Sequence, residues 1–89
     1  ILYMNINELI AIVKKKLEEN INFENLLIED KSFLHKNHIG NDINKFHLKI
    51  NINSKELSKL TKIESNKKVY KILDDELKTH IHSLQILIN

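Results

Sequence analysis

Histidines are the residues of this 89-residue chain best suited to chemistry, and three of the five crowd together as His35, His38 and His47. The other two, His80 and His82, stand one residue apart near the C-terminal end. A neutral imidazole presents a nitrogen lone pair to a metal and takes up a proton near neutral pH. The chain contains no cysteine, which rules out internal disulfides and thiolate ligands of its own. An autonomous zinc site wants three or four well-placed ligands, so a His80–His82 pair is a thin basis for one. Metal ligation, nucleic-acid contact and ordinary structural or solvated histidines all remain open on the residues alone.

Catalytic patterns are missing. There is no thiol nucleophile, no glycine-rich phosphate loop and no motif setting a serine beside a histidine and an acid. Asp74, Asp75 and Glu76 look like a carboxylate cluster, but on a helix they diverge and read as a solvated face with local lysine pairing. The sequence therefore predicts a protein that is not an enzyme. A net charge of +2, with lysines and acids interspersed, makes no basic stripe of the kind a dedicated nucleic-acid binder shows. Lys14, Lys15 and Lys16 point about 100° apart on a helix and read as solvated surface. No apolar run approaches the ~20 residues of a membrane span, and "ILYMNINELI" lacks the charged-then-apolar layout of a signal peptide.

The elements that must position the histidines follow from periodicity. Length predicts one domain over 1–89. Ile6, Leu9, Ile10, Val13, Leu17 and Ile21 trace the stripe of an amphipathic helix, with Asn5 or Asn7 as cap. "FENLLIEDKS" reads as a strand. In "KFHLKINI" Phe46, Leu48, Ile50 and Ile52 alternate with His47, Lys49 and Asn51, predicting a strand with one covered face and His47 on the polar side. A polar connection of about a dozen residues joins the two strands, with Gly40 at its turn; so long a loop tends towards function. Ser54 caps a short helix in "NSKELSKL". A second helix runs from about Glu64, with Val69, Tyr70, Leu73 and Leu77 in one arc. "IHSLQILI" closes as a strand in which His82 alternates with Leu84, Ile86 and Ile88, the pattern of a partly buried histidine.

The order helix, strand, strand, helix, helix, strand predicts a two-layer α+β domain. Its sheet would have an antiparallel hairpin, then a third strand parallel to the second, with helices on one face. Two consecutive helices also admit a helix-turn-helix reading, and the topology resembles a type II KH domain. That makes a nucleic-acid-binding transcriptional regulator the alternative function, with Lys62, Lys67 and Lys68 as phosphate contacts. A KH domain grips phosphates with a Gly–x–x–Gly loop, and here the stretch between the helices is "LTKIES".

Over about residues 8–88 the chain resembles the BolA family. "IEDKSFLH" resembles the family's acid–x–Ser–x–x–His run at Glu29, Asp30, Ser32 and His35. "FHLKI" is similar to its Thr–His–Phe–x–Val strand, with His47 as the histidine. "VYKILDDEL" is similar to its Val-Tyr…Glu-Glu-Leu helix, and "IHSL" to the His–Ala–Leu start of the last strand, with His82 as the histidine. The chain departs from the family at Leu57-Ser58-Lys59, where Phe–x–Gly is usual, and at Ser65-Asn66-Lys67, where Arg–His–Arg is usual. Of that basic helix start only Lys67 and Lys68 keep their charge.

The resemblance implies a partner rather than a reaction. BolA-like proteins bind monothiol glutaredoxins and share a 2Fe–2S cluster with them. The glutaredoxin brings a cysteine and a glutathione thiolate, and the BolA side brings two histidines or a histidine and a cysteine. Carried onto this chain, the metal ligands are His82 and His35, with His38 as the alternative loop ligand. Such an assembly implies a chain that is monomeric and without tightly bound metal when alone. The loop histidine resembles organellar and bacterial relatives more than the cytosolic eukaryotic type, which carries cysteine there.

Overall fold

The computed structural model describes residues 4–32 and 46–89. Helix α1 (Ile6–Asn20) starts where Asn5 accepts a hydrogen bond from the Glu8 amide, and it buries Leu9, Val13 and Leu17. Strand β1 (Asn25–Asp30) pairs antiparallel with β2 (Phe46–Asn53), from Asn25 opposite Asn53 to Asp30 opposite Leu48. After β2, buried Ser54 receives the Leu57 amide and donates its hydroxyl to Asn22 O, so it both starts α2 (Lys55–Ser58) and ties it to the segment after α1.

Helix α3 (Lys62–Ile72) begins two residues before the expected Glu64. Thr61 and Glu64 form a reciprocal capping box, which satisfies two of the otherwise orphaned amides of a helix start. The helix does not run on as one piece: Leu73 leaves helical geometry at φ −99°, ψ 19°, and a short α4 (Asp74–Thr79) follows. Strand β3 (Ile81–Ile88) then returns parallel to β2, giving the sheet order β1-β2-β3. This is the α+β arrangement with a three-stranded mixed sheet that the sequence predicts.

The core lies between the helices and one face of the sheet. Leu48, Ile50 and Ile52 of β2 meet Leu9, Val13 and Leu17 of α1, Leu57 of α2, Val69 of α3 and Leu73. The other sheet face carries Lys49 and Asn51, as the alternation requires.

Two expectations about the helices need correction. Tyr70 does not join the buried arc; it is 45 % exposed, and its hydroxyl donates to Leu84 O of β3. The buried arc instead runs through Ser65, Val69, Leu73 and Glu76, spaced four, four and three residues apart, and Tyr70 lies beyond its margin. Nor is Glu76 solvated: it is 7 % exposed and takes both of its hydrogen bonds from Lys16 of α1, at 2.9 and 2.7 Å. Lys16 is correspondingly drawn out of the solvated lysine run. Asp74 does pair locally, with Lys78 at 3.0 Å, and Asp75 is exposed.

Candidate functional site

The site forms where three chain segments meet at one end of the sheet. β1 finishes at Asp30, whose carboxylate accepts the Ser32 amide at 2.9 Å and turns the chain. Next to it, Lys31 binds Glu29 at 3.0 Å and holds that carboxyl below its usual range, chiefly through the hydrogen bond itself. The turn then fastens to β2: the Lys31 amide donates to His47 O at 2.7 Å, and the His47 amide donates to Ser32 Oγ at 3.1 Å. On the other flank of β2, the Phe46 amide donates to His80 O at 2.8 Å. His80, half-buried, closes α4 by donating its own amide to Glu76 O.

The start of β3 is irregular, and the irregularity sets the chemistry. Ile81 lies opposite Phe46, but Ser83 lies opposite His47, so His82 is an extra residue in a β-bulge. A bulge locally breaks the alternation of faces. Ile81 drops into the core, Leu84, Ile86 and Ile88 follow half-buried, and His82 is exposed. The expectation that His82 sits partly buried in phase with those three residues is therefore corrected: the bulge takes it out of phase.

His47 packs beside it. The two ring centroids are 4.9 Å apart and the ring planes are inclined at 58°. His47 is on the sheet face away from the helices yet only 5 % exposed. Burying an imidazole is costly unless its polar atoms are bonded, and His47 Nδ1 meets Ser83 Oγ at 2.6 Å. The neighbourhood thus has a buried, tethered imidazole behind and an exposed one in front. Sequence reasoning gave His47 a structural or surface role and did not foresee its contact with His82. The family-like "FHLKI" and "IHSL" motifs were the available signal, since each marks one of the two rings.

His35 and His38 lie outside the described residues. What is described is both stems of the connection that carries them: Ser32 and Phe46 are each bonded into the cluster that holds His82. Among the described residues, no three His, Asp, Glu or Cys side chains converge to hold a metal. His82 and His47 supply imidazole nitrogen only, and the whole chain has no thiol. Such a donor set suits part of an iron–sulfur coordination shell, with thiolates required from elsewhere.

The three candidate phosphate-contacting lysines do not share one surface. Lys62 and Lys67 border the same hollow on α3. Lys68 turns to the other side and pairs with Glu56 at 2.7 Å. No described helix is long and apolar enough to cross a membrane.

Comparison with known proteins agrees with the geometry. The family model described as "BolA-like protein" matches residues 17–89. The UV-induced protein uvi31 of Schizosaccharomyces pombe is 30 % identical over 78 residues, which is 83 % of this chain and 76 % of that protein. The DNA-binding transcriptional regulator BolA of Haemophilus influenzae is 28 % identical over 75 residues, 84 % of this chain and 70 % of that one. Among solved structures, BolA1 from Arabidopsis thaliana superposes with a TM-score of 0.75 at 29 % identity, covering 89 % of this chain and 87 % of its own. With the fold, the histidine-bearing strand starts and the family match in agreement, this chain belongs to the BolA-like family.

Proposed function

We propose that this protein is a BolA-like adaptor that binds a monothiol glutaredoxin and completes the coordination of a shared 2Fe–2S cluster, in iron–sulfur assembly, trafficking or iron sensing. The observation that carries the reading is the exposure of His82 by the β3 bulge, at the sheet end where the connection bearing His35 begins and ends. His82 is one ligand, His35 the second and His38 the substitute for it. When bound, the cluster supplies one-electron chemistry or transferable iron and sulfide. Imidazole ligands raise its potential relative to all-thiolate ligation.

The chain's own part is to hold an imidazole ready. Ile81 anchors the strand start in the core, and His47 backs the His82 ring. Ser83 fixes His47 in turn. A ligand that is already positioned loses less freedom on binding. Because only imidazoles are offered, the partner must bring thiolates, a glutaredoxin cysteine and glutathione.

The test is to reconstitute iron and sulfide on a mixture of this protein, a monothiol glutaredoxin and glutathione, and to record the visible spectrum. The mixed species should differ from the glutaredoxin homodimer. His82→Ala should abolish that difference while far-ultraviolet circular dichroism stays unchanged. A His82→Ala mixture with the wild-type spectrum would eliminate the assignment.

The nucleic-acid alternative gains little from the geometry. Lys68 is occupied by Glu56, the inter-helix turn has no glycine, and the relative's name speaks only for that relative.

A further inference from the structure

The end of β3 remote from the histidines is an unfinished sheet edge. Asn89 donates its amide to Ile52 O and accepts from the Ser54 amide, so its main-chain groups face β2. Along a strand the direction of these groups alternates, which turns those of Leu84, Ile86 and Ile88 outward. Leu84 agrees, since its carbonyl accepts the Tyr70 hydroxyl at 3.1 Å from outside the sheet. Among the described residues, Tyr70 therefore blunts the edge at Leu84 only. Open edges of this kind are templates for another extended chain unless covered or charged.

Beside that edge lies a hollow of about 470 Å³, between α2, the start of α3 and the last turns of β3, with Ile86 and Ile88 in its wall. A second hollow of about 490 Å³ adjoins it along α3 and shares Lys62 and Asn66. Three of the four exposed large hydrophobics among the described residues border the pair: Ile63 at 68 %, Tyr70 and Leu87. Among the described residues, the only charged ones lining the two are Lys62 and Lys67, and no ion pair there engages either.

We propose that this groove docks an extended, acidic peptide segment of a partner protein, which adds as a fourth strand at Ile86–Ile88. Its main chain bonds the free edge, its apolar side chains contact Ile63 and Tyr70, and its carboxylates meet Lys62 and Lys67. Strand addition takes affinity from main-chain bonds and specificity from alternate side chains. The charge commits the occupant: a groove whose described lining carries two lysines and no acid selects against a basic segment. The main-chain edge favours a peptide over a nucleic acid, which has no backbone amides to match it. The groove is distinct from the histidine site. His82 and Ile88 are six residues apart along β3, roughly 20 Å at strand rise.

The test uses the isotopically labelled full chain and a soluble peptide of alternating valine and glutamate, followed by NMR. Addition should shift the Ile86 and Ile88 amides and slow their hydrogen exchange. The K62E/K67E double variant should bind about tenfold more weakly, in line with the loss of two exposed ion pairs and added repulsion. The same peptide N-methylated at alternate residues should not bind. The double variant should still form the mixed cluster with glutaredoxin, so failure here is separable from failure of the cluster reading. Equal binding of the N-methylated peptide, shifts confined to other elements, tighter binding of single-stranded oligothymidine at the same amides, or the same shifts from concentration alone, which would mean self-pairing, would each overturn the proposal.

Discussion

Breaking the Lys16–Glu76 pair tests how α4, and with it the start of β3, is held in place. Glu76 is the one buried carboxylate among the described residues, and Lys16 bonds both of its oxygens. Removing one partner of a fully buried pair costs roughly 3–5 kcal/mol, because the other charge is left stranded. Exposed pairs are worth roughly 0–1 kcal/mol. Here the carboxylate side chain is 10 % exposed and the lysine 31 %, so the ammonium keeps part of its hydration. The value must fall between those limits, and we expect about 2 kcal/mol for Lys16→Met or Glu76→Gln alone. For a domain of this size that is roughly 10 °C in Tm.

Urea unfolding of the wild type, both single variants and the double variant at pH 7 forms a thermodynamic cycle. The expected coupling is about 1–2 kcal/mol. Single-variant costs that add to within ~0.5 kcal/mol would mean that the two side chains are not coupled. The pH dependence supplies a second check. The hydrogen bond to Glu76 is the main cause that holds Lys16 above the ordinary lysine value, against the opposing effect of burial. A group raised on folding stabilises fully below its unfolded value and loses that contribution as pH climbs through the folded one. The stability gap between wild type and Lys16→Met should therefore hold from neutral pH to about 10 and then narrow. A gap that does not narrow in that range contradicts the assignment.

Ser54→Ala removes a helix cap and a buried donor to Asn22 O together, so thermal melting should show a loss of about 2 kcal/mol. Glu64 is held below the usual carboxyl range by the Thr61 amide first and the Thr61 hydroxyl second. Glu64→Gln should therefore destabilise at neutral pH, and its difference from wild type should fade as acid titrates the carboxylate; a difference that persists at pH 2 would be inconsistent. His47→Phe keeps the volume behind His82 but leaves Ser83 Oγ without its ring partner. It should cost about 1–2 kcal/mol and weaken the mixed-cluster spectrum less than His82→Ala does. An effect on the spectrum equal to that of His82→Ala would mean His47 does more than back the ring.

What could be read in the sequence was whatever a single segment determines. The alternation of Phe46 to Ile52 marked β2, the stripe from Ile6 to Ile21 marked α1, and the length of the helical return made β3 parallel to β2. What could not be read depends on the meeting of segments. Glu76 appeared to have local lysines for company, and its actual partner lies sixty positions upstream. Tyr70 fell in the apolar arc by the helical wheel, but it stands at the edge of the buried stripe, where its hydroxyl reaches Leu84 O of the neighbouring strand.

The bulge at His82 belongs to the same class and matters most. "IHSLQILI" contains no glycine, and the period-2 series of Leu84, Ile86 and Ile88 extends back in phase to His82. The extra residue exists only in the pairing with β2, where Ile81 must meet Phe46 while Ser83 must reach the His47 ring. Both demands are met only if the residue between them is expelled from the pattern. Periodicity alone would therefore have assigned the site histidine to the half-buried face. The motif resemblance at "IHSL" pointed the other way, and the bulge supplies the physical reason: the residue that breaks the strand's rhythm is the one whose ring is left exposed.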